Sequence, residues 1–116
     1  MDLKGKTVFV TGASAGIGAA TALAFAAEGA RLLLAARRAG KLAEVASSAL
    51  ELGAAAVHSI HLDVRSRIAV QRTIDELPEE WAQIDVLVNN AGLSRGLDKL
   101  YTGKIEDWEE MIDTNV

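Results

Sequence analysis

The sequence predicts an α/β fold in which helices cover both faces of a parallel sheet of about four strands. Short apolar runs alternate with helix-forming stretches along all 116 residues, in the order β-α-β-α-β-α-β-α. The second apolar run, residues 30–36, is continuous rather than alternating, which is typical of a strand buried on both faces of a parallel sheet. With right-handed crossovers between these strands, we expect the spatial strand order 3-2-1-4.

Each element is predicted from its own pattern. The strands are expected at residues 6–10, 30–36, 55–62 and 84–88, which are short runs of apolar residues. The helices are expected at residues 19–28, 41–52, 68–77 and 105–116, which are rich in Ala and Leu or repeat apolar residues every three or four positions. Gly29, Gly53 and Pro78 mark the ends of the first three helices. A long loop is expected at residues 93–104, before the last helix with its stripe of Trp108, Met111, Ile112 and Val116.

Composition restricts the class of protein. A chain of 116 residues, 50% of them apolar, suffices for one small domain with its own core. The absence of cysteine excludes a disulfide or thiolate–metal framework and favours a reducing compartment, here the cytoplasm. No apolar run approaches the ~20 residues of a membrane span, and because residues 1–4 lead directly into the first expected strand, we expect no signal peptide. The net charge of −4 argues against nucleic acid as a partner.

A glycine-rich segment, residues 11–18 (TGASAGIG), lies between the first expected strand and the first expected helix. A loop in this position can hold phosphate, because the helix N-terminus offers unpaired N–H groups and a positive dipole end. We expect Gly12 to make the tight turn, Gly16 to let the backbone approach a pyrophosphate, and Gly18 to let the helix lie close to the sheet. The spacing is Gly-x-x-x-Gly-x-Gly, and a purely structural turn is the alternative interpretation.

Together with Asn89-Asn90-Ala91-Gly92 after the fourth strand, this loop resembles the short-chain dehydrogenase/reductase family of the classical type. The resemblance implies a Rossmann-like doubly wound parallel sheet, here truncated to about four strands. It covers essentially all 116 residues but only about the first half of a typical member. Residues 1–116 are therefore expected to form a dinucleotide-binding half-domain, with the catalytic half absent from this chain.

Two arginines, Arg37 and Arg38, follow the second expected strand, which ends in Ala36. A pair of guanidinium groups can hold a 2′-phosphate, whereas Ala36 cannot accept a hydrogen bond from a free ribose 2′-hydroxyl. This pattern favours NADP (NADPH) as the cofactor, and two solvated arginines in a turn are the alternative. A basic residue that NADP-preferring relatives often carry is missing at Ala15.

The resemblance implies roles for further residues. In the family, the aspartate matching Asp63 bonds the adenine amino group and the next amide, that of Val64, supports it; an N-cap or Asx turn is the alternative, and both can hold. Asn115 matches an asparagine that holds a water in a proton relay, so it is the expected catalytic group. The full set of expected cofactor-binding residues is Gly12, Ser14, Ala15, Gly16, Ile17, Gly18, Arg37, Arg38, Asp63, Val64, Asn90, Ala91 and Gly92.

Several segments narrow the resemblance to NADP-dependent 3-hydroxy acid (serine-type) dehydrogenases: residues 37–38, 62–65, 77–81 and 89–96. We therefore expect the NADP(H)-binding part of an oxidoreductase that acts on a small hydroxy acid or carbonyl substrate. The resemblance also implies a homo-oligomer for the full-length protein. No nucleic acid, membrane or metal is expected as a partner, and His58 and His61 are expected to be structural.

The residues that perform the family's chemistry are missing from the sequence. That chemistry needs a Ser and a Tyr-x-x-x-Lys pair, in which the tyrosine exchanges the substrate proton. The only tyrosine, Tyr101, is followed four residues later by Ile105, so we exclude it as the proton donor. A non-catalytic nucleotide-binding half-domain therefore remains the alternative function. A methyltransferase fits poorly, because S-adenosylmethionine has no phosphate for the loop or the arginines to bind.

Overall fold

A computed structural model of the chain describes residues 2–14, 16–63, 65–90 and 110–113. These residues form five strands and four helices. The strands are β1 (Thr7–Thr11), β2 (Arg31–Ala36), β3 (Ala56–His61), β4 (Val86–Asn89) and β5 (Glu110–Asp113). The helices are α1 (Gly16–Ala27), α2 (Ala39–Leu52), α3 (Arg67–Asp75) and α4 (Glu79–Ala82). None of the helices described is both long and apolar enough to cross a membrane.

The strands form one parallel sheet in the order β3-β2-β1-β4-β5. The predicted order 3-2-1-4 is therefore confirmed for the first four strands. In this register Thr11 lies beside Ala35 on one side and beside Asn89 on the other. Because parallel strands end at the same edge, the segments that follow β1, β2, β3 and β4 are brought together there.

Two apolar layers enclose the sheet, as a doubly wound fold requires. On β1, Val8 and Val10 face the layer that contains the buried residues of α1 and α2, whereas Phe9 faces the layer of α3 and α4. All three side chains are fully buried. Burying a side chain of this size contributes about 1.5–3 kcal/mol, so these three residues anchor the central strand between the two layers. This explains why its apolar run is continuous in sequence.

The helices begin and end within a few residues of the positions that the sequence predicts. Gly53 ends α2 in the left-handed conformation, with φ 118°, and its N–H donates to the last carbonyls of that helix. Ser66 caps α3, since its hydroxyl accepts from the N–H of Ala69 at 3.2 Å. α1 begins at Gly16, so the end of the glycine loop is already helical. After Pro78 the chain forms the short helix α4, which the sequence pattern had not indicated.

The predicted last helix is wrong over residues 110–113. These residues form β5, which pairs with β4 so that Val86 lies opposite Glu110 and Asn89 opposite Asp113. β4, the last strand in the predicted order 3-2-1-4, is therefore paired on both sides. The backbone N–H and C=O groups of a buried strand need partners, and this long-range pairing overrides the local helical periodicity of the segment. The remainder of the predicted helix, residues 105–109 and 114–116, lies outside the described residues.

Candidate functional site

The glycine loop leaves β1 through a left-handed turn and enters α1 through another. Gly12 has φ 62° and Gly16 has φ 58°, a region that residues with a Cβ rarely adopt. Gly18 is constrained differently, because a Cβ there would overlap the carbonyl oxygen of Gly12 and lie 2.7 Å from its carbonyl carbon. The first turn of α1 thus packs directly against the backbone of the loop that leaves β1.

Open space borders the loop at Gly16. A Cβ added at this residue would have no heavy atom of the described structure within 4 Å. Gly16 is also the first residue of α1, so the free N–H groups of the first helical turn start here. Room for an approaching group and a helix N-terminus together make a cradle that fits a pyrophosphate. Ser14 is half-buried and Ile17 is 48% exposed beside this space.

Hydrogen bonds from a buried threonine fix the loop to the neighbouring strand. The hydroxyl of Thr11 donates to Oδ1 of Asn89 at 3.0 Å and accepts from the N–H of Asn90 at 3.1 Å. The Asn90 side chain donates from Nδ2 to the carbonyl of Thr11 at 3.3 Å. The sequence interpretation had not singled out Thr11, although a polar residue at the end of an apolar strand was the available signal. The network holds Asn90 against the glycine loop.

Arg37 and Arg38 extend from the end of β2 into solvent, and both are exposed. Ala36, which precedes them, is only 4% exposed and is part of the core. Arg38 is also the residue before α2, where its carbonyl accepts from the N–H of Leu42 at 3.0 Å. The backbone that carries the two guanidinium groups is therefore held by a buried strand on one side and a helix on the other.

Asp63 follows β3, and its carboxylate accepts hydrogen bonds from the backbone and the side chain of Arg65. Oδ1 accepts from the Arg65 backbone N–H at 3.0 Å and from Nε at 3.1 Å, and Oδ2 accepts from Nη2 at 2.9 Å. The hydrogen bond from the Arg65 side chain is the main reason why the pKa of Asp63 is lowered to about 2, and the charge of Arg37 adds to this effect. The Asx turn considered as the alternative role of Asp63 is therefore present. A role toward adenine stays a prediction.

The remaining expected site residues cannot be placed. Ala15, Val64, Ala91, Gly92 and Asn115 lie outside the described residues, and so does Tyr101. Their roles stay predictions. His58 packs against Trp81, with ring centroids 5.6 Å apart and an interplanar angle of 24°. Across the described part of the chain, no three His, Cys, Asp or Glu side chains form a group that could hold a metal ion.

The arrangement as a whole is a glycine cradle, a pair of arginines and a carboxylate along one edge of a parallel sheet. The family model for the short chain dehydrogenase matches residues 6–116. The chain belongs to the short-chain dehydrogenase family.

The sequence relatives include a dehydrogenase and a reductase. The NADP-dependent 3-hydroxy acid dehydrogenase YdfG of Escherichia coli (strain K12) is 43% identical over 108 residues, which are 93% of this chain and 42% of that protein. Sulfoacetaldehyde reductase 2 of Chromohalobacter salexigens is 43% identical over 109 residues, which are 94% of this chain and 42% of that protein. This short-chain dehydrogenase chain thus spans less than half the length of the curated relatives it matches.

Solved structures share the fold. The L-sorbose reductase of Gluconobacter frateurii, in complex with NADPH and L-sorbose, is 38% identical with a TM-score of 0.71, over 79% of this chain and 36% of that chain. An NAD+-bound xylitol dehydrogenase is 39% identical with a TM-score of 0.71, over 79% of this chain and 35% of that chain. Because neighbours with either dinucleotide are equally similar, the shape of the sheet does not distinguish NADP from NAD.

Proposed function

We propose that this chain binds NADP(H) as the cofactor half of a short-chain oxidoreductase whose substrate is a small hydroxy acid or the matching carbonyl compound. The observation that carries the proposal is the pair of exposed guanidinium groups of Arg37 and Arg38 at the end of β2. They lie at the same sheet edge as the glycine loop, which borders open space at Gly16. The loop fits the pyrophosphate and the arginines fit a 2′-phosphate.

The side chains at the end of β2 favour NADP over NAD as the cofactor. A ribose with a free 2′-hydroxyl is usually held by a carboxylate at the end of the second strand. In this chain that position is Ala36, which is buried and has no side-chain acceptor. Arginine can offer parallel N–H donors to a phosphate, which makes a strong, charge-assisted contact. The relative from Escherichia coli is named as NADP-dependent, which supports the same choice.

The proposed substrate class rests on the relatives. The names 3-hydroxy acid dehydrogenase and sulfoacetaldehyde reductase both describe small compounds that carry an acid group near an alcohol or an aldehyde. When bound, the nicotinamide supplies or accepts the hydride. The residues of this chain would then bind and orient the dinucleotide, and Asn115 would hold a water close to the reacting groups. We propose that the proton-donating tyrosine and its lysine belong to a catalytic half outside these 116 residues.

A nucleotide-binding role without catalysis is the second candidate. One observation favours it: the sequence has a single tyrosine, Tyr101, and no Tyr-x-x-x-Lys pair. General acid–base catalysis contributes about 10²- to 10⁴-fold to such reactions, so a chain without it should turn over slowly or not at all. Because neither candidate gives these 116 residues a proton-donating tyrosine, the two are separated on the whole protein that carries them, by following the absorbance of reduced nicotinamide with a panel of 3-oxo acids and aldehydes. Fast turnover would exclude the non-catalytic role.

The cofactor proposal is tested by removing both arginines. In the double variant Arg37→Ala/Arg38→Ala, we expect calorimetry to show about 10- to 150-fold weaker binding of NADPH, because charge-assisted contacts to the phosphate are lost. Binding of NADH should stay nearly unchanged. The control variant Lys4→Ala/Arg72→Ala removes the same charge from exposed residues away from this edge, and should alter neither affinity much. Equal losses for NADPH and NADH would contradict the proposal.

A further inference from the structure

The ends of β2 and β3 bring a cation and an anion close together. The N–H of Leu62 donates to the carbonyl of Ala36 at 2.9 Å, which ties the two chain segments to each other. The residues that come next, Arg37 and Asp63, therefore start from adjacent positions at this sheet edge. The positive charge of Arg37 contributes to the lowered pKa of Asp63, as expected for neighbouring opposite charges. An ion pair between these two side chains would occupy a guanidinium group that the proposed function assigns to the 2′-phosphate.

Arg65 occupies the carboxylate of Asp63 in place of Arg37. Oδ1 accepts from the Arg65 backbone N–H at 3.0 Å and from Nε at 3.1 Å, and Oδ2 accepts from Nε at 3.3 Å and from Nη2 at 2.9 Å. A carboxylate has about four acceptor positions, two on each oxygen, so these contacts match its whole capacity. Among the residues that the structure describes, the ion pair of Asp63 is with Arg65 and not with Arg37.

The charges at this edge match a 2′-phosphate only when Asp63 is neutralised by another residue. Pairing of Asp63 with Arg65 leaves the two positive charges of Arg37 and Arg38, whose side chains are exposed. A phosphate monoester carries about −1.5 to −2 charges at neutral pH, which these two arginines balance. Carboxylates and phosphates both accept parallel N–H groups from arginine. Without Arg65, the carboxylate of Asp63 would therefore compete with the phosphate for Arg37.

We propose that Arg65 is a positioning residue for the 2′-phosphate subsite: by pairing with Asp63, it keeps that carboxylate from pairing with Arg37 and thereby raises the selectivity of the chain for NADP(H) over NAD(H). The inference rests on the proposed NADP(H) function and adds a residue that acts through other side chains. Asp63 is 38% and Arg65 64% exposed, so the competing ion pair would be a weak, solvated one. The expected gain in selectivity is therefore about two- to fivefold.

The experiment measures the ratio of the dissociation constants for NADH and NADPH, by calorimetry on the 116-residue chain and on variants that circular dichroism shows to be folded. Contacts to the parts that both dinucleotides share, the adenine included, cancel in this ratio. Arg65→Ala frees the carboxylate of Asp63, and Asp63→Asn/Arg65→Ala removes the freed charge as well. Arg37→Ala, with and without Arg65→Ala, shows whether the effect passes through Arg37. Arg72→Ala is the matched control, because it removes an exposed arginine of α3.

The wild-type chain and Arg72→Ala should prefer NADPH to the same extent. We expect Arg65→Ala to lower the ratio about two- to fivefold, Asp63→Asn/Arg65→Ala to restore it, and Arg65→Ala to have no further effect once Arg37 is removed. An unchanged ratio in Arg65→Ala would overturn the inference, and so would a failure of Asp63→Asn to restore it or a further loss in the absence of Arg37. These results would leave the NADP(H) assignment intact. Equal affinity of the wild-type chain for NADPH and NADH would refute the proposed cofactor, and the inference with it.

Discussion

At the scale of single residues, the three glycines between β1 and α1 have different reasons to lack a side chain. Gly12 is required by its φ of 62°, since a Cβ there would make only ordinary contacts of 3.5 Å with Asn90. Gly18 is required by packing against the backbone of Gly12. Gly16 combines a φ of 58° with space beside it that no side chain or distant backbone among the described residues fills. The spacing of the three glycines in the sequence does not show which of these reasons applies to which glycine.

A valine at Gly16 should abolish NADPH binding, because the branched side chain would fill the space in which the pyrophosphate approaches the backbone. The control is Gly5→Val, since Gly5 also has a positive φ, 75°, and open space around it, but lies before β1. Both variants should lose about 1–2 kcal/mol of unfolding free energy from backbone strain. Calorimetry with NADPH checks the difference. If a folded Gly16→Val chain bound NADPH as the wild type does, the loop would not be the phosphate site.

The pH dependence of Asp63 is a second prediction at this scale. Its pKa is held at about 2, mainly by the hydrogen bond from the Arg65 side chain. A pKa below the unfolded value of about 3.9 adds stability that is complete above that value and is lost as the pH falls through about 2. In Arg65→Ala the pKa should rise toward 3.8, and the unfolding free energy should vary less steeply between about pH 4 and pH 2. The chemical shift of the Asp63 carboxyl carbon, followed in an NMR titration, measures its pKa in both chains. An unchanged pKa in Arg65→Ala would contradict the role given to the Arg65 side chain.

At the scale of elements, the site depends on how α1 and β4 meet the end of β1. The start of α1 touches the glycine loop through Gly18, and the end of β4 is bonded to Thr11 through Asn89 and Asn90. Thr11 and Asn89 are fully buried, where hydrogen bonds are shielded from water. The loop is thus held from the helix side and from the strand side. A phosphate cradle positioned in this way needs little reordering when a ligand binds.

Adding a methyl group to two helical glycines tests this packing. Gly18→Ala should lower the unfolding free energy by about 1–3 kcal/mol, because the new Cβ overlaps backbone atoms that cannot rotate away. Gly40→Ala in the first turn of α2 should be neutral or stabilising by up to about 1 kcal/mol, since a Cβ there meets no described atom within 4 Å. Urea denaturation of both variants gives the two free energies. Equal effects would contradict the close approach of α1 to the loop.

At the scale of the whole molecule, the sequence was sufficient for the arrangement of the first four strands. Continuous apolar runs, as at Leu32-Leu33-Leu34, reflect burial on both faces, and this burial is a local property of the sequence. The order 3-2-1-4 then follows from crossover handedness. Because strand ends meet at one edge, the approximate position of Arg37, Arg38 and Asp63 beside the glycine loop was also predictable.

Features that depend on contacts between distant segments were not predictable. Residues 110–113 have a helical apolar stripe in sequence, but they pair as β5 with the edge of β4. The bond between Thr11 and Asn89 joins residues that are 78 positions apart, and no local pattern encodes it. Propensity and periodicity carry no information about any of these pairings.

The central claim is that this chain selects a dinucleotide with a 2′-phosphate. Parallel calorimetric titrations of the purified 116-residue chain with NADPH and with NADH test it most directly, since the two ligands differ only in that phosphate. The contacts available to Arg37 and Arg38 predict that NADPH binds about 10- to 150-fold more tightly. Equal affinity for the two dinucleotides, or tighter binding of NADH, would contradict the claim.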